Sequence, residues 1–165
     1  MYRVKLSPML RSYLEQAGYV GDYLVDAAKS PTVAEYLSWG FKLSQELKDV
    51  LLVCAGWRIT VAETTSGQAA FDVEFLDSAR LNELFSPETI QDYEQKFGLV
   101  GLVPFAVSHD GIVELFKDHL QRVVAVAYRS EVITYGGRSF KASVDAWLSG
   151  KKNARINQGK PFRDS

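Results

Sequence analysis

Ser108, His109 and Asp110 are the residues whose types come closest to a catalytic set in this chain. A serine nucleophile needs a histidine base within hydrogen-bond distance and a carboxylate that orients the histidine. Here the three residues are consecutive and precede Gly111, and an Asp-Gly pair is a strong signal for a tight hairpin turn. Because consecutive side chains in such a turn point apart, the sequence predicts a polar turn and no triad.

Motifs for other common chemistries are absent from the sequence. It has no G-x-x-x-x-G-K-S/T, G-x-G-x-x-G, H-E-x-x-H or G-x-S-x-G pattern. Cys54 is the only cysteine, and the two histidines, His109 and His119, lie at successive hairpin ends on opposite edges of the predicted sheet. A zinc site would lack its usual thiolates. The sequence therefore predicts no catalytic residue, no metal site, no cofactor and a protein that is not an enzyme.

Acidic side chains are concentrated between residues 63 and 94. This segment holds eight Asp or Glu residues and one basic residue, Arg80, for a local charge of −7, whereas residues 120–165 carry nine basic and three acidic residues, or +6. Two interpretations are open: the carboxylates solvate the outer faces of a hairpin and a helix, or they form a docking surface for a cationic protein. In the second interpretation the partner-binding residues are Asp72, Glu74, Asp77, Glu83, Glu88, Asp92 and Glu94.

The docking interpretation makes a prediction about charge reversal. Asp72 and Glu74 alternate with the apolar residues of FDVEF, so they are predicted to point outward from a strand. We expect reversal of Asp72, Glu74 and Asp77 to lysine to leave the fold intact, because outward charges contribute about 1 kcal/mol or less each. The same reversal should slow association most strongly at low salt.

The elements that position these residues begin with helices whose two ends are marked in the sequence. Ser-Pro precedes and Gly follows an amphipathic segment in SPMLRSYLEQAG, SPTVAEYLSWG and SPETIQDYEQKFG, which is typical of a capped helix. LSQELKDVLLVCAG and SFKASVDAWLSG show helical apolar spacing behind a serine cap. The sequence therefore predicts helices near 8–17, 44–55, 87–97 and 140–149, a buried Cys54, and an N-terminal helical region that extends through residue 30.

Alternating apolar residues predict a sheet. WRITVAE and FDVEF have the pattern of half-buried strands, and LVPFAV, IVELF and VVAVAY form an antiparallel meander that a further strand at 132–135 continues. The chain is predicted to be an α+β protein with a single domain over residues 1–150, in which N-terminal helices precede a mainly antiparallel sheet and a C-terminal helix closes the domain. Residues 151–165 are predicted to form a flexible basic tail.

Composition narrows the class of protein. The chain has 165 residues, of which 47% are hydrophobic and 24% charged, as is typical of a globular domain. A net charge of −1 and a pI near 6.1 give no basic surface for nucleic acid. No apolar stretch approaches the roughly 20 residues that cross a bilayer, and MYRVKLSPMLRSYLEQ lacks the features of a signal peptide. The sequence therefore predicts a cytoplasmic protein that binds neither nucleic acid nor a membrane.

The order of these segments resembles the SUKH superfamily, which includes the yeast cell-wall assembly regulators, the Syd protein that interacts with the secretion channel, and many bacterial immunity proteins. The resemblance covers roughly residues 32–150. It is carried by the helix that ends at Ala55-Gly56, by the strand and turn from Pro104 to Gly111, and by Ser139-Phe140 at the start of the last helix.

What this resemblance implies is a protein-binding function. In the first hypothesis the protein is a cytoplasmic antidote that binds a cognate toxin, cationic and acting on nucleic acid, and blocks its active site through the acidic region. In the second hypothesis it is an intracellular regulatory or scaffold module of the same fold that holds a different protein. The neighbouring gene separates the two, because an antidote is expected beside a gene for a large secreted toxin.

Overall fold

The computed structural model describes residues 1–65, 67–157 and 160–161, with side chains as far as residue 153. The helices are α1 (Pro8–Gln16), α2 (Pro31–Ser38), α3 (Gln45–Cys54), α4 (Ser78–Leu84), α5 (Pro87–Phe97) and α6 (Phe140–Leu148). The strands are β1 (Tyr2–Arg3), β2 (Leu24–Val25), β3 (Arg58–Val61), β4 (Phe71–Phe75), β5 (Val103–Ser108), β6 (Val113–Lys117), β7 (Val123–Ala127), β8 (Glu131–Tyr135), β9 (Ala154–Asn157) and β10 (Lys160–Pro161). The chain is an α+β protein, as the sequence predicts.

Serine side chains cap most of these helices. The Oγ atoms of Ser7, Ser30 and Ser86 accept hydrogen bonds from the backbone N–H three residues ahead, at 3.3, 3.1 and 3.2 Å, and proline follows each serine. Ser44 and Ser139 cap α3 and α6 in the same way. These bonds satisfy N–H groups that the helix itself leaves without a partner. The predicted helices near 8–17, 44–55, 87–97 and 140–149 are confirmed to within one residue at each end.

The main sheet is an antiparallel meander. Its strand order is β10-β9-β8-β7-β6-β5-β4-β3, so each strand pairs with its neighbour along the chain, while β1 and β2 form a separate ribbon. The turn between β5 and β6 contains His109 and Asp110 in the left-handed conformation, with φ of 54° and 57°. The predicted meander, including the strand near 132–135, is confirmed.

Aromatic residues pack on both faces of this sheet. On one face, which we call the α6 face, the ring of Phe105 lies 5.5 Å from that of Phe140 and 5.9 Å from that of Trp147. On the other face, which we call the α5 face, the rings of Phe116 and Tyr93 lie 5.9 Å apart. Because side chains alternate along a strand, neighbouring residues of one strand pack on opposite faces of the sheet.

The N-terminal region differs from the prediction after α1. Residues 19–29 contain β2 and one turn of 3-10 helix in place of the predicted helical extension. Asp22 accepts a hydrogen bond from the backbone N–H of Leu24 at 3.0 Å, and Asp26 accepts one from Ala28 at 3.1 Å. Such local bonds offer the backbone an alternative to the helix. The predicted helical region through residue 30 is therefore wrong over residues 19–29.

The C-terminal tail also departs from the prediction. The backbone of Ala154–Asn157 pairs with β8, and Lys160–Pro161 pairs with β9. An edge strand presents unpaired N–H and C=O groups, so backbone hydrogen bonds can hold a segment that has little apolar surface to bury. The predicted flexible tail is corrected at these residues, and positions 158–159 and 162–165 of that prediction lie outside the described residues.

Candidate functional site

The carboxylates predicted to bind a partner lie on the α5-face side of the sheet. Glu74 is opposite Val107, and Val107 is opposite Glu114, whose carboxylate accepts a hydrogen bond from Tyr93 of α5. Residues directly opposite one another share a face, so Glu74 and Asp72 both point toward the α5 face. The other predicted residues belong to α4, to its cap or to α5: Asp77, Glu83, Glu88, Asp92 and Glu94.

Three of these carboxylates are bonded to a backbone N–H group or to two arginines of the protein. The side chain of Glu74 is only 15% exposed and forms ion pairs with Arg80 at 2.9 Å and with Arg58 at 3.4 Å. Asp77 accepts a hydrogen bond at 2.9 Å from a backbone N–H of α4, a helix that the sequence did not reveal. Glu94 accepts a backbone N–H from the loop after α5 at 3.1 Å. Glu74 and Asp77 are therefore bonded within the protein, so the reason for expecting their reversal to lysine to leave the fold intact does not hold for these two residues.

The exposed members of the predicted set are Asp72, Glu83, Glu88 and Asp92, which we call the acidic face. The hydroxyl of Thr60 donates to Asp72 at 2.7 Å, and this neutral donor leaves the carboxylate charge in place. Glu83 is 64% exposed and lies 3.1 Å from Arg80. Ion pairs this exposed contribute about 1 kcal/mol or less, because water and salt screen them. The acidic face therefore keeps most of its negative charge available to a partner.

Glu114 is an acidic residue on the same side that the sequence analysis did not single out. It is only 7% exposed, and its Oε1 accepts a hydrogen bond from the hydroxyl of Tyr93 at 2.5 Å. Burial raises the pKa of the Glu114 carboxyl, whereas the Tyr93 hydrogen bond and the charge of Arg129 oppose that rise. The available signal was an acidic residue inside the apolar segment IVELF, because an ionised group inside a sheet layer needs compensation.

A cleft of about 590 Å³ lies on the α6 face and is lined by Phe71, Tyr135, Trp147, Ser108 and His109 among others. Ser108 Oγ and His109 Nδ1 are 2.8 Å apart, so the prediction that these neighbouring side chains point apart is wrong. The left-handed backbone of His109 breaks the alternation of the strand, and its ring stacks on that of Phe71 at 4.7 Å. The cleft thus combines aromatic walls with one polar pair.

The contact between Ser108 and His109 does not extend to a triad. Nowhere in the described part of the chain does a carboxylate accept a hydrogen bond from the second ring nitrogen of His109. Burial lowers the pKa of His109, and the charge of Asp110 opposes this shift without a hydrogen bond. A catalytic histidine requires a group that fixes its orientation, so the geometry indicates a hydrogen bond that stabilises the turn.

The described residues contain neither a cluster of metal ligands nor a membrane-spanning helix. Residues 1–65, 67–157 and 160–161 contain no group of three or more His, Cys, Asp or Glu side chains that could hold a metal ion. His109 and His119 lie beyond opposite ends of β6, as predicted. Cys54 is fully buried, as predicted, and burial raises the pKa of its thiol. Over the described residues, no helix has both the length and the apolar character needed to cross a membrane.

Comparisons of the chain with protein-family models, with curated proteins and with solved structures find no match. The charges, burial and contacts of the chain itself are therefore what indicates its function.

Proposed function

We propose that this protein is a non-enzymatic cytoplasmic immunity protein that binds and neutralises a cationic bacterial toxin. The observation that carries the proposal is the acidic face, whose four carboxylates are exposed on one side of the sheet. A concentrated field of one sign attracts a partner of the opposite sign and orients it during encounter. The SUKH-like order of segments supports the same class of function, because that superfamily includes many immunity proteins.

Neutralisation by this surface requires no reaction. A toxin that modifies nucleic acid must present a positive surface to the phosphate backbone of its substrate. The acidic face offers that surface carboxylates in place of phosphates, so the bound protein would cover the toxin's active site. No cofactor or metal takes part in this scheme, and the affinity depends on charge and shape complementarity.

Co-expression with the toxin encoded beside its gene tests the proposal. We expect wild-type protein to keep the cells alive and the double reversal Glu88→Lys, Asp92→Lys to lose most of that protection. The matched control is Glu15→Lys, Glu63→Lys, which reverses two exposed carboxylates outside the acidic face and changes the net charge by the same amount. The melting curve of Glu88→Lys, Asp92→Lys should coincide closely with that of wild type, because exposed charges contribute little to stability. The control removes the bonds of Glu15 to Arg11 and Tyr23, so its melting curve is measured as well, and protection is compared at a temperature where both variants are folded.

Two outcomes would contradict the proposal. Equal protection by both double variants would show that the acidic face only solvates the helices. A wild-type protein that gives no protection, or an adjacent gene that encodes no toxin, would favour the second hypothesis, a regulatory or scaffold module with a different protein partner.

A further inference from the structure

A cleft of about 340 Å³ opens on the α5-face side, next to the acidic face. Its lining comprises Leu84 of α4, Val107 and Glu114 of the sheet, Gly111 and Ile112 of the β5–β6 turn, and Tyr128 and Arg129 of the β7–β8 turn. Ile112 is 41% exposed and Tyr128 is 74% exposed. Two large apolar side chains therefore stand at the surface around this cleft, where a partner could cover them.

One carboxylate oxygen in the cleft is open to solvent. More than nine-tenths of Glu114 is buried, and its Oε1 is held by Tyr93. Oε2 accepts no hydrogen bond from the residues that the structure describes, and it is not one of their buried atoms without a partner, so it is reached through the cleft that Glu114 lines. A positive group that entered the cleft would therefore meet a carboxylate oxygen that no protein donor occupies.

Arg129 is the protein's own cation nearest to this site, and its charge opposes the rise in the pKa of Glu114 without a contact ion pair. Arg129 lines the cleft, but none of the ion pairs in the described part of the chain, each defined by a distance of at most 4.0 Å, includes Glu114. Tyr128 and Arg129 both have the left-handed backbone of a tight turn, with φ of 53° and 57°. Lys96 donates instead to the backbone oxygen of Arg129, at 3.2 Å.

We propose that this cleft receives one lysine or arginine side chain of the cationic partner, whose ammonium or guanidinium group pairs with Glu114 Oε2. The proposal rests on the function proposed above and names the anchor of the same interaction. Hydrogen bonds between two charged groups are among the strongest in proteins, and binding energy concentrates where an anchor residue enters a desolvated pocket. Tyr128 offers an aromatic face beside the cleft, on which a guanidinium group can stack.

A small probe tests the site without the toxin. N-acetyl-arginine amide is titrated into ¹⁵N-labelled protein, with N-acetyl-citrulline amide as the neutral probe of the same shape. We expect saturable shifts of the amide signals of residues 111–115 and 128–130 with the arginine probe, and at least a fivefold weaker response with the citrulline probe. Equal responses to the two probes, or no response to either, would overturn the proposal.

Two matched variants locate the charge that binds the probe. Glu114→Gln keeps an oxygen for the Tyr93 hydroxyl but removes the charge, so binding of the arginine probe should fall at least fivefold. Glu63→Gln removes an exposed charge outside both the cleft and the acidic face and should leave probe binding within about twofold, because screened surface charges interact weakly. A retained response in Glu114→Gln, with the unperturbed spectrum still that of a folded protein, would contradict the proposal.

Arg129→Gln distinguishes an external cation from an internal one. If the cleft serves a partner, removal of this neighbouring positive charge should leave the probe's affinity equal or increase it. Binding that occurs only in Arg129→Gln would show that Arg129 itself occupies the site and would overturn the proposal.

The kinetics of toxin binding then distinguish the role of Glu114 from that of the acidic face. Glu114→Gln should raise the dissociation rate at least tenfold while the association rate stays within about twofold, since buried pairs act mainly on dissociation. Loss of the arginine probe's response with intact toxin binding would refute the anchor alone. Intact probe binding with no toxin binding would refute the proposed function alone.

Discussion

The clefts on the two faces of the sheet differ in whether their polar side chains have hydrogen-bond partners within the protein. The α6-face cleft is the larger, at about 590 Å³ against about 340 Å³, and its polar residues Ser108 and His109 are hydrogen-bonded to each other. The α5-face cleft contains Glu114, whose Oε2 is open to solvent and accepts no hydrogen bond from the described residues. Because a carboxylate oxygen without a protein donor can accept a charged hydrogen bond from a partner, it indicates a binding site better than size does.

Trp147→Ala should have the largest effect, because the α6 face is a packing surface. Trp147 is 3% exposed and its ring contacts Phe105. Truncation of a buried tryptophan costs roughly 3 to 5 kcal/mol of unfolding free energy, which urea denaturation measures. The matched control is Tyr128→Ala, an exposed aromatic residue of the α5-face cleft, whose loss should cost about 0.5 kcal/mol or less. An unchanged denaturation curve for Trp147→Ala with loss of partner binding would instead make it an interface residue.

Glu74→Lys should have an intermediate effect on stability. Compared with Asp72→Lys, it distinguishes the predicted carboxylates that are ion-paired within the protein from those that are exposed. This side chain is mostly buried between Arg80 and Arg58, and reversal leaves both cations facing a third. Loss of a charged, partly buried partner costs about 1 to 3 kcal/mol. Asp72→Lys, two residues away on the same strand and exposed, should cost about 1 kcal/mol or less. Equal midpoints of thermal unfolding for the two variants would contradict the distinction between structural and free carboxylates.

Glu114→Gln should have the smallest effect on stability, and its sign should depend on pH. Burial raises the pKa of Glu114 above its value in the unfolded chain, so ionisation costs more in the folded state and its destabilising effect grows as pH rises. The glutamine variant should therefore match wild type well below the ordinary glutamate pKa of about 4.3 and be more stable at neutral pH. Unfolding free energies at several pH values measure this difference, and a variant less stable at neutral pH would contradict the assignment.

Local signals in the sequence accounted for most of the fold. Ser-Pro caps and terminal glycines fixed the helices, and the alternation in FDVEF correctly placed Phe71, Val73 and Phe75 inside. The departures arose where backbone or short-range polar bonds decide the structure. Hydrogen bonds from the backbone to Asp22 and Asp26 replace a helix in residues 19–29. Backbone pairing with β8 holds β9 in the sheet. Apolar periodicity does not report either kind of bond.

The candidate site could be predicted only in part. A count of charges along the chain identified the acidic region, but it could not show that Arg58 reaches Glu74 from a strand outside that region. The pairing of Tyr93 with Glu114 joins residues 21 positions apart, so it follows from the register of the sheet and the placement of α5. The contact between Ser108 and His109 depends on the left-handed backbone of His109, a conformation that is uncommon for residues other than glycine.

If the neighbouring gene encodes the proposed toxin, the salt dependence of its association with this protein tests the central claim most directly. Stopped-flow rates are measured from low to high salt for wild type, for Glu88→Lys, Asp92→Lys and for the control Glu15→Lys, Glu63→Lys. If the acidic face steers the toxin, the wild-type rate should fall steeply as salt rises, and the acidic-face variant should be at least tenfold slower at low salt, converging with wild type at about 1 M salt, where the screening length is about 3 Å. The control should follow wild type closely. Equal rates for both double variants at low salt would contradict the claim that the acidic face binds a cationic partner.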